Sequence, residues 1–207
     1  KLLLLETLMP GVGTGPVVGL RFGMTGRLMV DGSAGIDELL YSSVRDEPAW
    51  DRVTFRFGDG GDLRIRDPRR LGAVVLDPDE TALGVDALDV TAAGLRAALA
   101  GSVAPLKARL MDQARIAGVG NLTADEVLWR AGLDPARAAG SLSEPELRRL
   151  HRHLRSTLDE LIAGGGSHTG RLQAHRQPGG RCPRDGTPLV RRTVGGRTTW
   201  SCPRHQR

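Results

Sequence analysis

Two four-residue stretches near the C-terminus share one form, Cys182-Pro183-Arg184-Asp185 and Cys202-Pro203-Arg204-His205. Each presents two donor side chains across a two-residue loop, the way paired knuckles supply four ligands to a tetrahedral zinc ion. Thiolate, imidazole and carboxylate all serve as zinc donors, the carboxylate being the less common one. Zinc is therefore expected at Cys182, Asp185, Cys202 and His205; a metal-free hairpin packed around Trp200 is the alternative. A second stretch, Gly118-Val119-Gly120-Asn121, places two glycines and an asparagine where a helix begins. First-turn amides there form an anion site, and Asn121 can cap the helix or point outwards. An ordinary turn between two helices has the same spacing. A third, Asp67-Pro68-Arg69-Arg70-Leu71-Gly72, offers arginine beside an apolar residue, as suits a wedge into a base stack. In isolation this loop reads as a solvated turn. Met24, a flexible apolar side chain in a glycine-flanked turn, is a similar case.

The elements that carry these residues follow from periodicity. Apolar residues alternate at Val53, Phe55 and Phe57, then at Leu63 and Ile65 after a Gly58-Asp59-Gly60-Gly61 turn, which predicts a hairpin. Strands are also expected over 1–7, 16–22, 27–30 and 74–76, so residues 1–77 read as mostly antiparallel β with one packed face. After Asp77-Pro78 the period changes. Thr91 caps a short helix with Leu95 and Leu99, and Pro105 suits the first turn of another with Leu106, Leu110, Met111 and Ala114 on one face. The helix after Asn121 stops at Gly132. Ser143 and Glu146 form a capping box that opens a long helix with Leu147, Leu150, Leu154, Leu158, Leu161 and Ile162 inward. Residues 91–163 thus form a four-helix domain, and 178–207 a hairpin with Gly195-Gly196 at its turn.

Charge narrows the partners. The net charge is +5, and from Arg171 onward there are nine arginines against one acid, Asp185. Such a segment suits a polyanion, although a solvated basic tail has the same composition. Lysine is nearly absent, with only Lys1 and Lys107 in 207 residues. No apolar run is long enough to span a bilayer, and two cysteines make no disulfide framework. A cytoplasmic location is expected.

Together these residues resemble the formamidopyrimidine-DNA glycosylase and endonuclease VIII family of bifunctional DNA glycosylases. The resemblance rests on Phe22-Gly23-Met24-Thr25-Gly26-Arg27, the 67–72 loop, the run from Pro105 through Gly132, and the terminal hairpin, and covers nearly the whole chain. It implies an α+β fold: an antiparallel β-sandwich, partial here, then a helix–two-turn–helix domain and a zinc-ribbon-like β-hairpin. It implies a monomer that acts on damaged double-stranded DNA. Lys1 matches a lysine that reaches the active site. Met24, Arg69 and Leu71 match residues that fill the gap left by an everted nucleotide. Lys107, Asn121 and Arg197 match groups that grip phosphates, and Cys182, Asp185, Cys202 and His205 occupy the zinc positions.

The chain also departs from that pattern. The family nucleophile is an N-terminal proline followed by glutamate, whereas this chain starts at Lys1 and reads as a fragment lacking its natural N-terminus. It is expected to have no lyase activity. Leu71 and Thr123 replace frequent aromatics, and Asp185 and His205 replace cysteines. A short connector between Gly170 and Arg181 suggests oxidised pyrimidines as the preferred lesions. The rival expectation is a non-catalytic nucleic-acid-binding protein of the same fold.

Overall fold

The computed structural model describes residues 2–9, 11–34, 43 and 45–207. It divides into two compact units, Lys1–Glu80 and Thr81–Arg207.

Among the described residues the first unit carries nine strands: β1 (Leu2–Leu5), β2 (Leu8–Met9), β3 (Gly13–Thr14), β4 (Val18–Arg21), β5 (Arg27–Val30), β6 (Ser33–Ala34), β7 (Asp51–Arg56), β8 (Asp62–Arg66) and β9 (Ala73–Leu76). Three form a sheet in the order β1-β4-β9 and four form another in the order β6-β5-β8-β7. Every pairing in both is antiparallel, with Leu20 opposite Leu3 and Val74, and Ile65 opposite Leu28 and Val53. Val18 and Leu20 of the first sheet meet Ile65 of the second, with Leu5, Phe22, Leu28, Val53, Phe55 and Val74 around them. That is the packing of a β-sandwich, in which alternate residues of each strand face the shared core. Strand β1 is half-buried, more open than the buried strand expected at 1–7.

The second unit carries β10 (Val85–Asp86), α1 (Ala92–Leu99), α2 (Leu106–Leu110), β11 (Ile116–Ala117), α3 (Asn121–Ala131), α4 (Glu144–Ala163) and the hairpin strands β12 (Val190–Val194) and β13 (Arg197–Ser201). The four helices surround one apolar core that includes Leu95, Leu99, Leu106, Leu110, Leu128 and Leu154. A second cluster, made of Trp129, Leu172, Cys182, Leu189, Trp200 and Cys202, seats the hairpin against α3. The expected 178–207 domain therefore shares its unit with the helices. No helix among the described residues is long and apolar enough to cross a membrane.

Three local expectations change. Helix α2 ends at Leu110, and Pro105 is its N-cap residue instead of a first-turn position. The amide of Arg115 turns back to Asp112, and Ile116–Ala117 then pair in parallel with Val85–Asp86, so Ala114 is not helical. A Cβ on Gly84 would lie 2.3 Å from the Arg115 carbonyl carbon, which explains a glycine where those segments cross. Ile162 is 61% exposed, because α4 rotates it away from the face of Leu154 and Leu161.

At the start of α4 the capping box forms as expected. The Ser143 amide donates to Glu146 Oε2 at 2.8 Å, and Arg137 grips both carboxylate oxygens at 2.5 and 3.0 Å. The Arg137 hydrogen bonds hold the Glu146 carboxyl down at about 2, against an ordinary 4.5. A depressed carboxyl stabilises the folded state above its ordinary pKa and loses that contribution as pH falls towards the folded value. Glu146→Gln is accordingly expected to melt lower at neutral pH and to lose less stability than the parent between pH 4.5 and about 2, as thermal melts across that range would record.

Candidate functional site

Lys107 lies in α2, a helix of five residues, and is completely buried. Its ammonium meets Asp125 Oδ1 at 2.7 Å, the Thr199 hydroxyl at 2.7 Å and the Thr198 carbonyl at 3.1 Å. Those three partners use its three donors. Asp125, in the second turn of α3, is equally buried. Its other oxygen accepts from Arg176 at 2.8 and 3.1 Å and from the Trp200 amide at 3.2 Å. One carboxylate thus joins α2, α3, the segment after Leu172 and strand β13. Burial pushes the Lys107 ammonium below its ordinary value, with Asp125 pulling the other way and the Arg176 and Arg197 charges adding to the depression.

This placement departs from a phosphate contact by Lys107. With no exposed surface, its head holds the hairpin to α3 and does not face solvent. Asn121 and Arg197 sit differently. Asn121 is the first residue of α3, and Gly120 is the N-cap residue, so the expected cap role of Asn121 is not realised. Its Oδ1 is enclosed and takes no hydrogen bond among the described residues. Gly118 adopts φ +95°. Gln113 braces the turn by donating to the Met111 and Val119 carbonyls and accepting from the Gly118 amide at 3.0 Å. Arg197 is exposed at the hairpin tip. Gly195 and Gly196 have φ +55° and +73°, the two positive angles a tight two-residue turn requires. A Cβ on Gly195 would lie 2.6 Å from the Ala108 Cβ, so this tip lies directly on α2.

At the base of the hairpin, one donor atom from each of Cys182, Asp185, Cys202 and His205 lies within 4.8 Å of all the others. The Cys202 Sγ to Asp185 Oδ2 and His205 Nδ1 to Asp185 Oδ2 separations are 3.4 Å, and Cys182 Sγ to His205 Nδ1 is 3.7 Å. A tetrahedral ion with donors at roughly 2.0–2.3 Å needs edges of about 3.3–3.8 Å, and these three separations match that spacing. His205 Nε2 lies 3.1 Å from the Trp129 carbonyl, a hydrogen bond that leaves Nδ1 free as a donor. The group can hold a metal ion.

In the β-sandwich unit, Met24 and Leu71 are 55% and 45% exposed, and Arg69 is exposed. Their two loops meet: a Cβ on Gly23, at φ +57°, would lie 2.7 Å from the Leu71 Cβ. Lys1 lies outside the described residues.

Residues 1–74 match the formamidopyrimidine-DNA glycosylase N-terminal domain, and residues 83–172 match the formamidopyrimidine-DNA glycosylase H2TH domain. The formamidopyrimidine-DNA glycosylase of Paracoccus denitrificans is 36% identical over 89% of this chain and 73% of that protein. The Thermus thermophilus enzyme of the same name is 41% identical over 70% of this chain and 64% of its own length. The chain belongs to the formamidopyrimidine-DNA glycosylase family. Among solved structures, a MutM in complex with DNA containing carbocyclic 8-oxo-G has a TM-score of 0.78 at 27% identity, over 100% of this chain and 78% of that one. Lactococcus lactis Fpg (MutM), bound to DNA containing N7-benzyl-Fapy-dG, has a TM-score of 0.75 at 25% identity, over 94% and 76%.

In this member of the glycosylase family, sequence reasoning missed Asp125, Arg176 and Gln113. The available signal was Lys107 itself: a lone internal lysine among arginines, on the apolar face of a short helix, requires a buried acid. Asp125→Ala leaves Lys107 and Arg176 buried without their counter-charge, and is expected to cost about 3–5 kcal/mol of stability. Lys107→Met leaves Asp125 its Arg176 partner and is expected to cost less. Urea unfolding of the two variants would rank them; equal losses would contradict the shared-carboxylate arrangement.

Proposed function

We propose that this chain is the DNA-binding body of a base-excision-repair glycosylase that removes oxidised bases from duplex DNA and nicks the strand as an AP lyase. The observation that carries the reading is the Lys107–Asp125 ion pair, which locks the Arg197 hairpin to the helix that begins at Asn121. Two backbone-facing groups on one rigid unit form a grip on a phosphate chain; such contacts position the duplex without reading its sequence. Met24, Arg69 and Leu71 then act as the wedge that fills the stack when a nucleotide is turned out, a step that costs a few kcal/mol of unstacking.

In the family chemistry, an N-terminal proline amine attacks the sugar C1′, displaces the base and forms an iminium that promotes strand elimination. Covalent catalysis of this kind divides one hard step into two easier ones. Lys1 is assigned to neutralising charge beside the reacting sugar. The names of the relatives favour formamidopyrimidine lesions over the oxidised pyrimidines suggested by the short connector. The metal is zinc, held by Cys182, Asp185, Cys202 and His205, and it fixes the hairpin base without taking part in the reaction.

Three outcomes test this reading. Arg197→Ala is expected to lower the log–log salt slope of duplex binding by about one, and Asn121→Ala to weaken binding roughly tenfold for every lesion alike. Altered choice among lesions in either variant would contradict a positioning role. Borohydride is expected to trap no covalent complex between this chain and abasic DNA, and a trapped adduct would overturn the assignment of the nucleophile. Metal analysis is expected to find zinc at one equivalent, lost in Cys202→Ser; a metal-free folded hairpin would remove zinc from the account.

A further inference from the structure

The exposed wedge residues sit on two loops from distant parts of the sequence, 23–26 and 67–72. Asp67 stands between them and is 1% exposed. One of its oxygens accepts from the Thr25 hydroxyl, across 42 residues of sequence, and from the Arg69 amide at 3.3 Å. The other accepts from the Gly72 amide at 2.7 Å. The backbone of Asp67 is fixed as well. Its amide donates to the Trp50 carbonyl at 2.9 Å, and its carbonyl accepts from Arg52 Nε at 2.8 Å. Arg52 reaches on to the carbonyls of Pro68 and Ala49. Thr25, the residue after Met24, has no exposed surface.

A loop that needed only its own turn would be served by amide hydrogen bonds within 67–72. The Thr25 bond does something else, because it fixes the position of a second loop from the same carboxylate. Hydrogen bonds to an ionised oxygen are about twice as strong as neutral ones. Burial opposes ionisation of Asp67, but the bonds from Thr25 and from the Gly72, Leu71 and Arg69 amides overcome it and leave its carboxyl below the ordinary value. Gly23 adds the steric half of the junction, as it brings backbone against Leu71 where a side chain would not fit.

We propose that Asp67 is a positioning residue whose carboxylate ties the Met24 turn to the Arg69–Leu71 loop, so that three side chains from two loops enter the duplex as one wedge. This rests on the wedge reading given above. The test uses the 207-residue chain and a duplex with a tetrahydrofuran abasic analogue opposite 2-aminopurine, whose fluorescence rises when it unstacks. Thr25→Val removes the bond between the loops and keeps the amide bonds that shape 67–72. It is expected to shift the equilibrium between inserted and withdrawn wedge about tenfold towards withdrawn. Affinity for undamaged duplex should stay within about twofold, and Thr25→Ser should restore the parental signal. Asp67→Asn should follow Thr25→Val. Folded Thr25→Val protein with the full fluorescence rise would overturn the coupling and leave the wedge standing. A full rise in both Met24→Ala and Leu71→Ala would overturn the wedge reading, and the coupling with it.

Discussion

A single carboxylate, that of Asp125, is shared between two buried cations, and the surface that carries Asn121 and Arg197 depends on it. Burying charge is costly unless each head finds its full set of partners. Here the partners are recruited from four places in the chain: α2, α3, the segment after Leu172, and the hairpin strand β13. A two-stranded hairpin alone is marginal in water. This one is held by the ion cluster beneath its tip and by Trp129, Leu172 and Trp200 nearer its base. Lys107 and Arg176 outnumber Asp125, and Arg197 acts on the same spot, so the cluster leaves positive charge under the tip. That charge favours a polyanion at the surface while its carriers remain inside.

The β-sandwich unit uses the same device at smaller scale. Asp67 is a buried acid whose oxygens are shared between two loops, but its donors are amides and a hydroxyl instead of ammonium and guanidinium groups. Both acids serve to fix exposed residues on rigid supports. A site that must hold a bent, unstacked duplex gains from such supports, because flexible loops would lose in entropy what their contacts gain.

Much of this was legible in the sequence because it was local. Strand alternation at Val53 to Ile65, the capping box at Ser143, and the paired Cys-Pro-Arg stretches each declare themselves within a few residues. The resemblance then supplied what spacing could not, including one shared role for Met24, Arg69 and Leu71. The misreadings have a common cause. The helix expected to run on past Leu110 was interrupted by a parallel pairing with Val85–Asp86, which periodicity does not register. Lys107 was placed among the phosphate-gripping groups through the resemblance alone, and its burial depends on Asp125, Thr198 and Thr199, the last two more than ninety residues further on. Long-range polar partners such as Arg176 with Asp125, or Thr25 with Asp67, leave no periodic trace.

Fixed supports are proposed to present Asn121 and Arg197 in the second unit, and the two wedge loops in the first, to damaged DNA. Amide hydrogen exchange of the chain, with and without a duplex carrying an abasic analogue, tests this most directly. Protection is expected to rise at 118–121, 195–198, 23–25 and 69–72, while the middle of α4 stays unchanged. Protection confined to other surfaces, or absent from these four segments, would contradict it.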